Sequence, residues 1–185
     1  MKRALILHGT DASSQDNWFP WLFEQLKARG LEVWVPDLPG SNKPNIARYN
    51  EFLLQGGLVF DEDTLLIGHS SGAVALLGLL EELPYPVGAA VCVSAFTHDL
   101  GWESLTDLFV KPFDFENLQT KAEKYLFVHA KDDPYCPVDQ AKDLATKLHG
   151  EFVLLDSGGH FSASLDPQYT AFPALLALLD ERKLV

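Results

Sequence analysis

Cysteine, positive charge and long apolar runs are all scarce in this chain. Its 185 residues include only two cysteines, Cys92 and Cys136, too few for a disulfide framework or a four-cysteine zinc site. We expect both to be reduced thiols, which predicts a cytoplasmic protein. No run approaches the length of a membrane span, and the apolar run behind the basic N-terminus, Ala4–Leu7, is too short for a signal peptide.

Negative charge dominates the composition. The 14 Lys and Arg against 26 Asp and Glu give a formal net charge of −12. A field of that sign repels phosphate backbones and anionic lipid surfaces, so we expect no nucleic-acid partner and no membrane partner. With 47% hydrophobic and 22% charged residues, the composition excludes a disordered, collagenous or coiled-coil chain. The length predicts a single domain, residues 1–185, which is either a monomer or a homodimer.

Short apolar runs alternate with segments of helical spacing. The predicted strands are Ala4–Leu7, Leu31–Val35, Thr64–Gly68, Ala89–Val93, Tyr125–Val128 and Phe152–Leu155. The predicted helices are Asn17–Arg29, Asn45–Gln55, Ser71–Glu82, Asp139–Leu148 and an apolar helix after Asp166 that is kinked or restarts at Pro173. Strands that alternate with helices predict an α/β fold, a parallel sheet with helices on both faces.

The segment at about residues 96–122 breaks this alternation, because it is longer than a simple crossover needs. Its pattern predicts one or two weak helices among large apolar residues. We expect it to form a small cap or lid in which Trp102, Phe109 and Phe113 line a substrate pocket. The alternative is that these aromatic residues only fill the core.

The run Gly68-His69-Ser70-Ser71-Gly72 fits the pattern G-x-S-x-G between a buried strand and a helix. In that context it predicts a nucleophile elbow, a tight turn that lifts the Ser70 hydroxyl above the sheet edge. The helix start leaves the backbone N–H of Ser71 free to stabilise developing negative charge. The alternative interpretation is a glycine-rich helix cap with Ser70 as N-cap residue.

A serine nucleophile needs a histidine base held by a carboxylate, in the chain order Ser, acid, His for this architecture. His160 follows the sixth predicted strand, and Asp132-Asp133-Pro134 follows the fifth. Open parallel sheets build their sites at the carboxyl ends of strands, where these groups would meet. Asp133 is the predicted acid, because the following proline restricts its backbone to an extended conformation.

The second oxyanion donor is expected in the loop after the first strand, His8-Gly9-Thr10. We predict the backbone N–H of Thr10, with Gly9 allowing close approach of the substrate and His8 supporting the loop. His69 is expected to pack away from the serine. A zinc site from His8, His69 and His160 is disfavoured because the elbow better explains these residues, so we expect no metal and no cofactor.

These residues resemble the YdeN-like and retinoblastoma-binding protein nine family of small α/β-hydrolases. The resemblance covers nearly the whole chain in order. Its pieces are Asn17–Trp21, Gly68–Ala73, Val93–Ala95, Asp99–Gly101, Lys111–Phe115, Asp132–Pro134 and Gly159–Phe161.

The resemblance implies a small α/β-hydrolase fold, a six-stranded, mostly parallel sheet of order 2-1-3-4-5-6. It implies a serine hydrolase with Ser70, Asp133 and His160 as its triad. The pocket-protein docking motif Leu-x-Cys-x-Glu does not occur, so nothing supports retinoblastoma-protein binding.

The predicted activity is hydrolysis of small-molecule carboxylic esters through an acyl-enzyme intermediate. A thioesterase, an amidase or peptidase with the same triad, and a non-catalytic binding protein on a hydrolase fold remain alternatives. A flavodoxin-like binding module is disfavoured, because the loop after the first strand carries Asp11 and suits an anion poorly.

Overall fold

A computed structural model describes residues 1–185, in which six strands form one open sheet. The strands are β1 Arg3–Leu7, β2 Glu32–Trp34, β3 Thr64–His69, β4 Ala89–Val93, β5 Tyr125–Ala130 and β6 Glu151–Leu155. Their order is β2-β1-β3-β4-β5-β6, and every pairing is parallel. The predicted strand order is therefore confirmed, with a sheet that is parallel throughout.

Six α-helices and two short 3₁₀ helices lie between the strands or follow the last one. The α-helices are α1 Phe19–Ala28, α2 Ile46–Leu54, α3 Ser71–Glu82, α4 Phe115–Leu118, α5 Val138–Lys147 and α6 Pro173–Glu181. The 3₁₀ helices are Glu103–Leu108 and Pro167–Thr170, so the predicted restart at Pro173 is confirmed. None of the helices combines the length and apolar character that crossing a bilayer demands.

The first helix begins later than the sequence predicted. Asn17 has a left-handed backbone, with φ 51°, and Trp18 is the N-cap residue of α1. The helix therefore starts at Phe19, because Pro20 in its first turn fits a helix start and Asn17 cannot continue it. This irregular entry leaves the Asn17 and Trp18 side chains available for contacts outside the helix.

Alternate residues of the buried strands pack on opposite faces of the sheet. Leu5, Leu7 and Leu66 belong to a core shared with α2, α3 and α5. Ile6 and Leu65 belong to the opposite core, shared with α1 and α6. This period of two is what a strand buried on both sides requires, and it explains why the strands read as continuous apolar runs.

Helix α3 is the most deeply buried helix, with Ser71 through Leu80 all buried. A Cβ added at Gly78 would lie 2.4 Å from the Ile46 Cγ2, so α2 and α3 cross in close contact there. Full burial of one leucine contributes about 1.5–3 kcal/mol, so this helix fixes the position of its own N-terminus firmly. That N-terminus carries the elbow serine.

The segment 96–122 folds as the 3₁₀ helix Glu103–Leu108 and the short α4, in accord with the one or two weak helices expected. Leu105 and Leu108 pack with Phe96 in a small separate core. This core also contains Cys136, so it ties the segment to the loop after β5.

Candidate active site

Ser70 occupies the turn between β3 and α3 with a strained backbone, φ 56° and ψ −125°. Strand and helix approach too closely there for any side chain. A Cβ added at Gly68 would lie 2.6 Å from the Ala73 Cα, and one at Gly72 would lie 2.4 Å from the His8 carbonyl oxygen. Both glycines of the pattern are therefore needed for steric reasons, and the turn has the geometry of a nucleophile elbow.

His160 and Asp133 form a hydrogen-bonded pair at the ends of β6 and β5. The His160 Nδ1 lies 2.9 Å from the Asp133 Oδ2 and 3.1 Å from Oδ1. The Asp133 side chain is fully buried. Ser94 donates its hydroxyl to Oδ2 at 2.8 Å, and the backbone N–H groups of Tyr135 and Cys136 donate to Oδ1 at 2.9 and 3.0 Å.

These partners keep Asp133 ionised despite its burial. Burial alone would raise the pKa of this carboxyl group, but the hydrogen bond and charge of His160 and the two backbone N–H donors lower it below its usual range. With Asp133 holding Nδ1–H, the Nε2 of His160 is the unprotonated nitrogen of the neutral ring.

Asp132 contacts the backbone of the His160 loop instead of the imidazole. Its Oδ1 accepts hydrogen bonds from the N–H groups of Gly158 and Gly159, each at 2.8 Å. Gly159 has φ 52°, a left-handed conformation that glycine adopts without strain. The two adjacent carboxylates therefore have different partners. Asp133 holds the His160 ring, and Asp132 holds the backbone of the loop that carries His160.

Distant side chains hold the other side of the His160 loop. The His69 Nε2–H donates to the His160 carbonyl oxygen at 2.8 Å, and the Trp18 Nε1–H donates to the Phe161 carbonyl oxygen at 3.1 Å. Burial, with a smaller effect of the His160 charge, lowers the pKa of His69 to about 3, so this ring is neutral at any working pH. His69 lies on the wall of the same cavity as Ser70, and its hydrogen bond to the His160 carbonyl oxygen positions the histidine loop.

The oxyanion donors predicted from the sequence have no other hydrogen-bond partner. Neither the Thr10 N–H nor the Ser71 N–H donates to a backbone or side-chain acceptor. The Thr10 hydroxyl donates to the Ser71 Oγ at 2.8 Å and so joins the two loops. A Cβ added at Gly9 would lie 3.1 Å from the Ser70 Cβ, so the loop passes directly beside the serine.

His8 holds this loop in place through two hydrogen bonds of its ring. Its Nε2 accepts the Leu38 N–H at 2.9 Å, so its Nδ1 carries the proton and donates to the Gly9 carbonyl oxygen at 2.9 Å. Burial lowers the pKa of His8, which favours this neutral tautomer. The ring is therefore fully engaged within the protein.

A cavity of about 580 Å³ lies above these loops. Ser70, His160, Gly9 and Thr10 lie on its wall. The Ser70 hydroxyl makes no hydrogen bond to His160 in this structure; such bonds are often long until substrate binds. The charged side chains on the wall are Asp11 and Asp16, both acidic.

The segment 96–122 contributes only part of the pocket that the sequence predicted. Trp102 lies on the cavity wall, together with Leu100 and Leu105. Phe109 and Phe113 do not line the cavity. Phe109 packs against the Phe96 ring at 5.9 Å, and Phe113 packs against Phe109 at 6.3 Å and against the core shared with α2 and α3.

Tyr135 and Cys136 are cavity residues that the sequence reasoning missed. The Tyr135 ring lies between Trp102 and His160, at centroid distances of 5.8 and 5.1 Å. Burial raises the pKa of the Cys136 thiol, which keeps it protonated. Their position directly after Asp133-Pro134 could have indicated that they line the cavity, because the loop that carries the predicted acid also borders the cavity.

One group of metal-ligand type is close enough to share an ion. Its atoms, from Asp133, Cys136 and His160, lie within 4.8 Å of one another. The Asp133 carboxylate already accepts the hydrogen bonds described above, and the Cys136 thiol is protonated. The donor set therefore fits an acid–base pair better than a metal site.

Comparison with known proteins agrees with this geometry. The sequence profile of the family described as serine hydrolase matches residues 4–181. YdeN of Bacillus subtilis, described as a hydrolase, is 30% identical over 181 residues, which cover 96% of this chain and 94% of that protein. The rat serine hydrolase RBBP9 is 28% identical over 166 residues, covering 86% and 87%.

Solved structures show the same fold. The crystal structure of the ydeN gene product of B. subtilis superposes with a TM-score of 0.90 at 29% identity, covering 98% of both chains. Polyneuridine aldehyde esterase superposes with a TM-score of 0.69 at 18% identity, covering 98% of this chain and 99% of that one, which supports the α/β-hydrolase fold alone. The chain belongs to the serine hydrolase family.

Proposed function

We propose that the chain hydrolyses small, uncharged carboxylic esters, with Ser70 as nucleophile, His160 as general base and Asp133 as the acid that orients it. The observation that carries this proposal is the buried pair of His160 Nδ1 and Asp133 Oδ2, 2.9 Å apart, on the same cavity as the strained elbow serine. A carboxylate on Nδ1 directs the basic Nε2 outward, which is the tautomer that a serine nucleophile needs.

In the first half-reaction, His160 Nε2 takes the Ser70 proton as Oγ attacks the ester carbonyl. The N–H groups of Ser71 and Thr10 stabilise the tetrahedral oxyanion, and the imidazolium then protonates the leaving alkoxide. In the second half-reaction, His160 takes a proton from a water molecule as that water attacks the acyl-Ser70 carbonyl, and the imidazolium then returns the proton to the departing Ser70 Oγ as the acid is released. Asp133 stabilises the imidazolium in both halves.

The charge of the cavity wall favours neutral esters over phosphate-bearing thioesters. Asp11 and Asp16 face the cavity, and the whole chain carries a formal charge of −12. A ligand with phosphate groups would be repelled as it approached. Leu100, Trp102 and Leu105 form the apolar part of the wall, where we propose that a short or medium acyl group binds.

Labelling with an alkyl fluorophosphonate tests the nucleophile. Because the probe reacts only with an activated serine, we expect one phosphonyl adduct, which peptide mapping should assign to Ser70. Pretreatment with the probe should abolish esterase activity. A protein that takes up no label, or takes it up at Ser71, contradicts the assignment, and no labelling would favour a binding protein on a hydrolase fold.

Matched substrates test the reaction class. An ester, a thioester and an anilide of the same short acyl group should be compared by kcat/KM. We expect the ester to exceed the anilide, because an alkoxide leaves more easily than an amine, and to exceed the thioester once each value is divided by the rate of spontaneous hydrolysis of that substrate, since thiolate is intrinsically the better leaving group. A higher value for the anilide would assign an amidase, and a higher normalised value for the thioester would assign a thioesterase.

A further inference from the structure

Ser94, directly after β4, has a backbone conformation that serine rarely adopts. Its φ is 51°, in the left-handed region, and the residue is fully buried. Residues other than glycine, asparagine and aspartate are uncommon in this region because the Cβ crowds the backbone, and strained residues of this kind cluster at functional sites. A glycine would adopt the same conformation without strain, which indicates that the serine side chain has a use of its own.

Ser94 lies between the strand that leads to the proposed nucleophile and the strand that leads to the proposed acid. The carbonyl oxygen of Val93, the residue before it, accepts the Ser70 N–H at 2.9 Å. The Ser94 N–H donates to the Val128 carbonyl oxygen at 2.9 Å, and the Ser94 hydroxyl donates to the Asp133 Oδ2 at 2.8 Å. Two consecutive residues therefore connect the backbone of the elbow to the carboxylate of Asp133.

The two oxygens of Asp133 are held by different parts of the chain. Oδ1 accepts the N–H groups of Tyr135 and Cys136, which belong to the same loop as Asp133. Oδ2 accepts the Ser94 hydroxyl, and it is the oxygen nearer to the His160 Nδ1, at 2.9 Å against 3.1 Å for Oδ1. Apart from His160 itself, Ser94 is therefore the group outside this loop that fixes the rotation of the carboxylate.

His129 is the other polar side chain near Oδ2. Its Nε2 lies 3.8 Å from the Asp133 Oδ2, beyond hydrogen-bond distance, and its Nε2–H donates to the Cys136 carbonyl oxygen at 2.8 Å. Burial lowers the pKa of His129, which keeps its ring neutral. His129 therefore holds the backbone of the loop, whereas the carboxylate itself is held by Ser94.

We propose that Ser94 is a positioning residue, whose hydroxyl holds Asp133 in the rotation that presents Oδ2 to the His160 Nδ1. This role rests on the proposed function, because it takes Asp133 to be the acid of the triad. In the transition state His160 becomes an imidazolium ion, and a carboxylate that is already oriented stabilises that ion without reorganising. Ser94 acts through Asp133 and not on the substrate, since it does not line the cavity above Ser70.

Ser94→Ala, which keeps the Cβ and removes the hydroxyl, tests this role. We expect kcat for a p-nitrophenyl ester to fall by about tenfold, the lower end for a hydrogen bond to a charged group, because Asp133 retains its two backbone donors. KM should stay within about twofold of the wild type, because the binding surface is unchanged. An unchanged kcat, or a rise in KM as large as the fall in kcat, would overturn the proposal.

A double-mutant cycle with Asp133→Asn shows whether Ser94 acts through the acid. If it does, adding Ser94→Ala to Asp133→Asn should lower kcat by less than about twofold further. The rate of fluorophosphonate labelling at Ser70 gives the same comparison where turnover is slow. An equal loss in both backgrounds would overturn the proposal and leave the triad intact. If Asp133→Asn alone left kcat unchanged, the acid assignment would fail and the role of Ser94 with it.

Two further variants separate activity from stability. Ser94→Gly removes the same hydroxyl but relieves the left-handed backbone, so it should melt at a higher temperature than Ser94→Ala and lose as much kcat. Thr64→Val is the control, because it removes a buried hydroxyl at the opposite end of β3 that donates to the Val59 carbonyl oxygen at 3.0 Å. It should lower the melting temperature and leave kcat within about twofold of the wild type. Wild-type kcat in Ser94→Gly, or a comparable loss in Thr64→Val, would overturn the proposal.

Discussion

The elbow that carries Ser70 and the loop that carries His160 reach the same cavity but are held there differently. At the elbow, Gly68 leaves room for the backbone of Gly72 and Ala73, and Gly72 leaves room for the backbone of Leu7 and His8 at the end of the neighbouring strand. The His160 loop is held by remote groups, among them Trp18, whose indole bonds to a residue 143 positions away. The proposed nucleophile is therefore held by contacts within the turn and with the end of one neighbouring strand, whereas the proposed base is held by contacts with residues spread along the chain.

Removal of the nucleophile should have the largest effect. Ser70→Ala deletes one hydroxyl from a turn whose shape is set by the two glycines, so the fold should persist. We expect kcat for ester hydrolysis to fall by about 10⁶-fold, as in other triad deletions. Steady-state kinetics and a thermal melt within about 3 °C of the wild type would establish both points. Substantial residual activity would place the nucleophile elsewhere.

Asp133→Asn should have the next largest effect. An amide on the Nδ1 side favours the wrong imidazole tautomer, so we expect kcat to fall by about 10⁴-fold, as in serine proteases. The His160 loop should remain in place, because its backbone contacts come from other residues. If Asp132→Asn caused this loss and Asp133→Asn did not, the acid would be Asp132.

The same substitution has a consequence for acid stability. Because the folded protein lowers the pKa of Asp133, its ionised form stabilises the fold above the unfolded pKa of about 3.9. That contribution is lost as pH falls through the lower folded pKa. Wild-type stability measured by urea unfolding should therefore decline below about pH 4 more steeply than that of Asp133→Asn. Identical slopes would contradict the lowered pKa.

Gly72→Ala tests whether the elbow is set by steric contact between the start of α3 and the end of β1. The new Cβ would lie 2.4 and 2.5 Å from the carbonyl oxygens of His8 and Leu7, which are backbone atoms and cannot swing away. We expect a loss of about 10²-fold in kcat/KM, the scale of an ångström-sized misplacement, and a lower melting temperature. Gly57→Ala is the control for kcat/KM alone, because a Cβ there meets nothing within 4 Å, although the left-handed backbone of Gly57, with φ 85°, strains any side chain and can itself lower the melting temperature. Equal losses of kcat/KM in both variants would exclude the steric explanation.

Asp132→Ala tests whether the His160 loop depends on remote support. It removes the acceptor of the Gly158 and Gly159 N–H groups, and we expect kcat to fall by about tenfold through misplacement of the imidazole. Asp132→Asn keeps an oxygen acceptor at that position, so it should restore most of the activity. An equal loss of kcat in both variants would show that the loop depends on the negative charge of Asp132 and not on its hydrogen bonds.

Trp102→Ala should have the smallest effect, since the residue is 46% exposed. Each acyl methylene that contacts its ring gains about 0.8 kcal/mol, or about fourfold in kcat/KM. The variant should lose this gain along a series of p-nitrophenyl esters of increasing chain length. Phe113→Ala is the matched control, because that ring lies outside the cavity. An unchanged dependence of kcat/KM on chain length in Trp102→Ala would show that the indole does not contact the acyl group.

Sequence reasoning succeeded where the controlling interactions lie close along the chain. The strands were recognisable because residues buried on both faces leave continuous apolar runs. Errors arose at element ends, as at Asn17, whose left-handed backbone delays α1. They also arose in the segment 96–122, where an aromatic run alone does not tell which rings face the cavity and which turn toward α2 and α3.

The sequence by itself determined the strands, the elbow and the residue types of the site, because apolar periodicity, the G-x-S-x-G spacing and the residues at strand ends are recognisable over a few positions. Only the tertiary structure decided which partners meet. It placed Asp132 on the glycine N–H groups, His69 and Trp18 on the histidine loop, and Tyr135 beside His160. These contacts join residues that are remote in the chain, and their geometry exists only once both cores are packed.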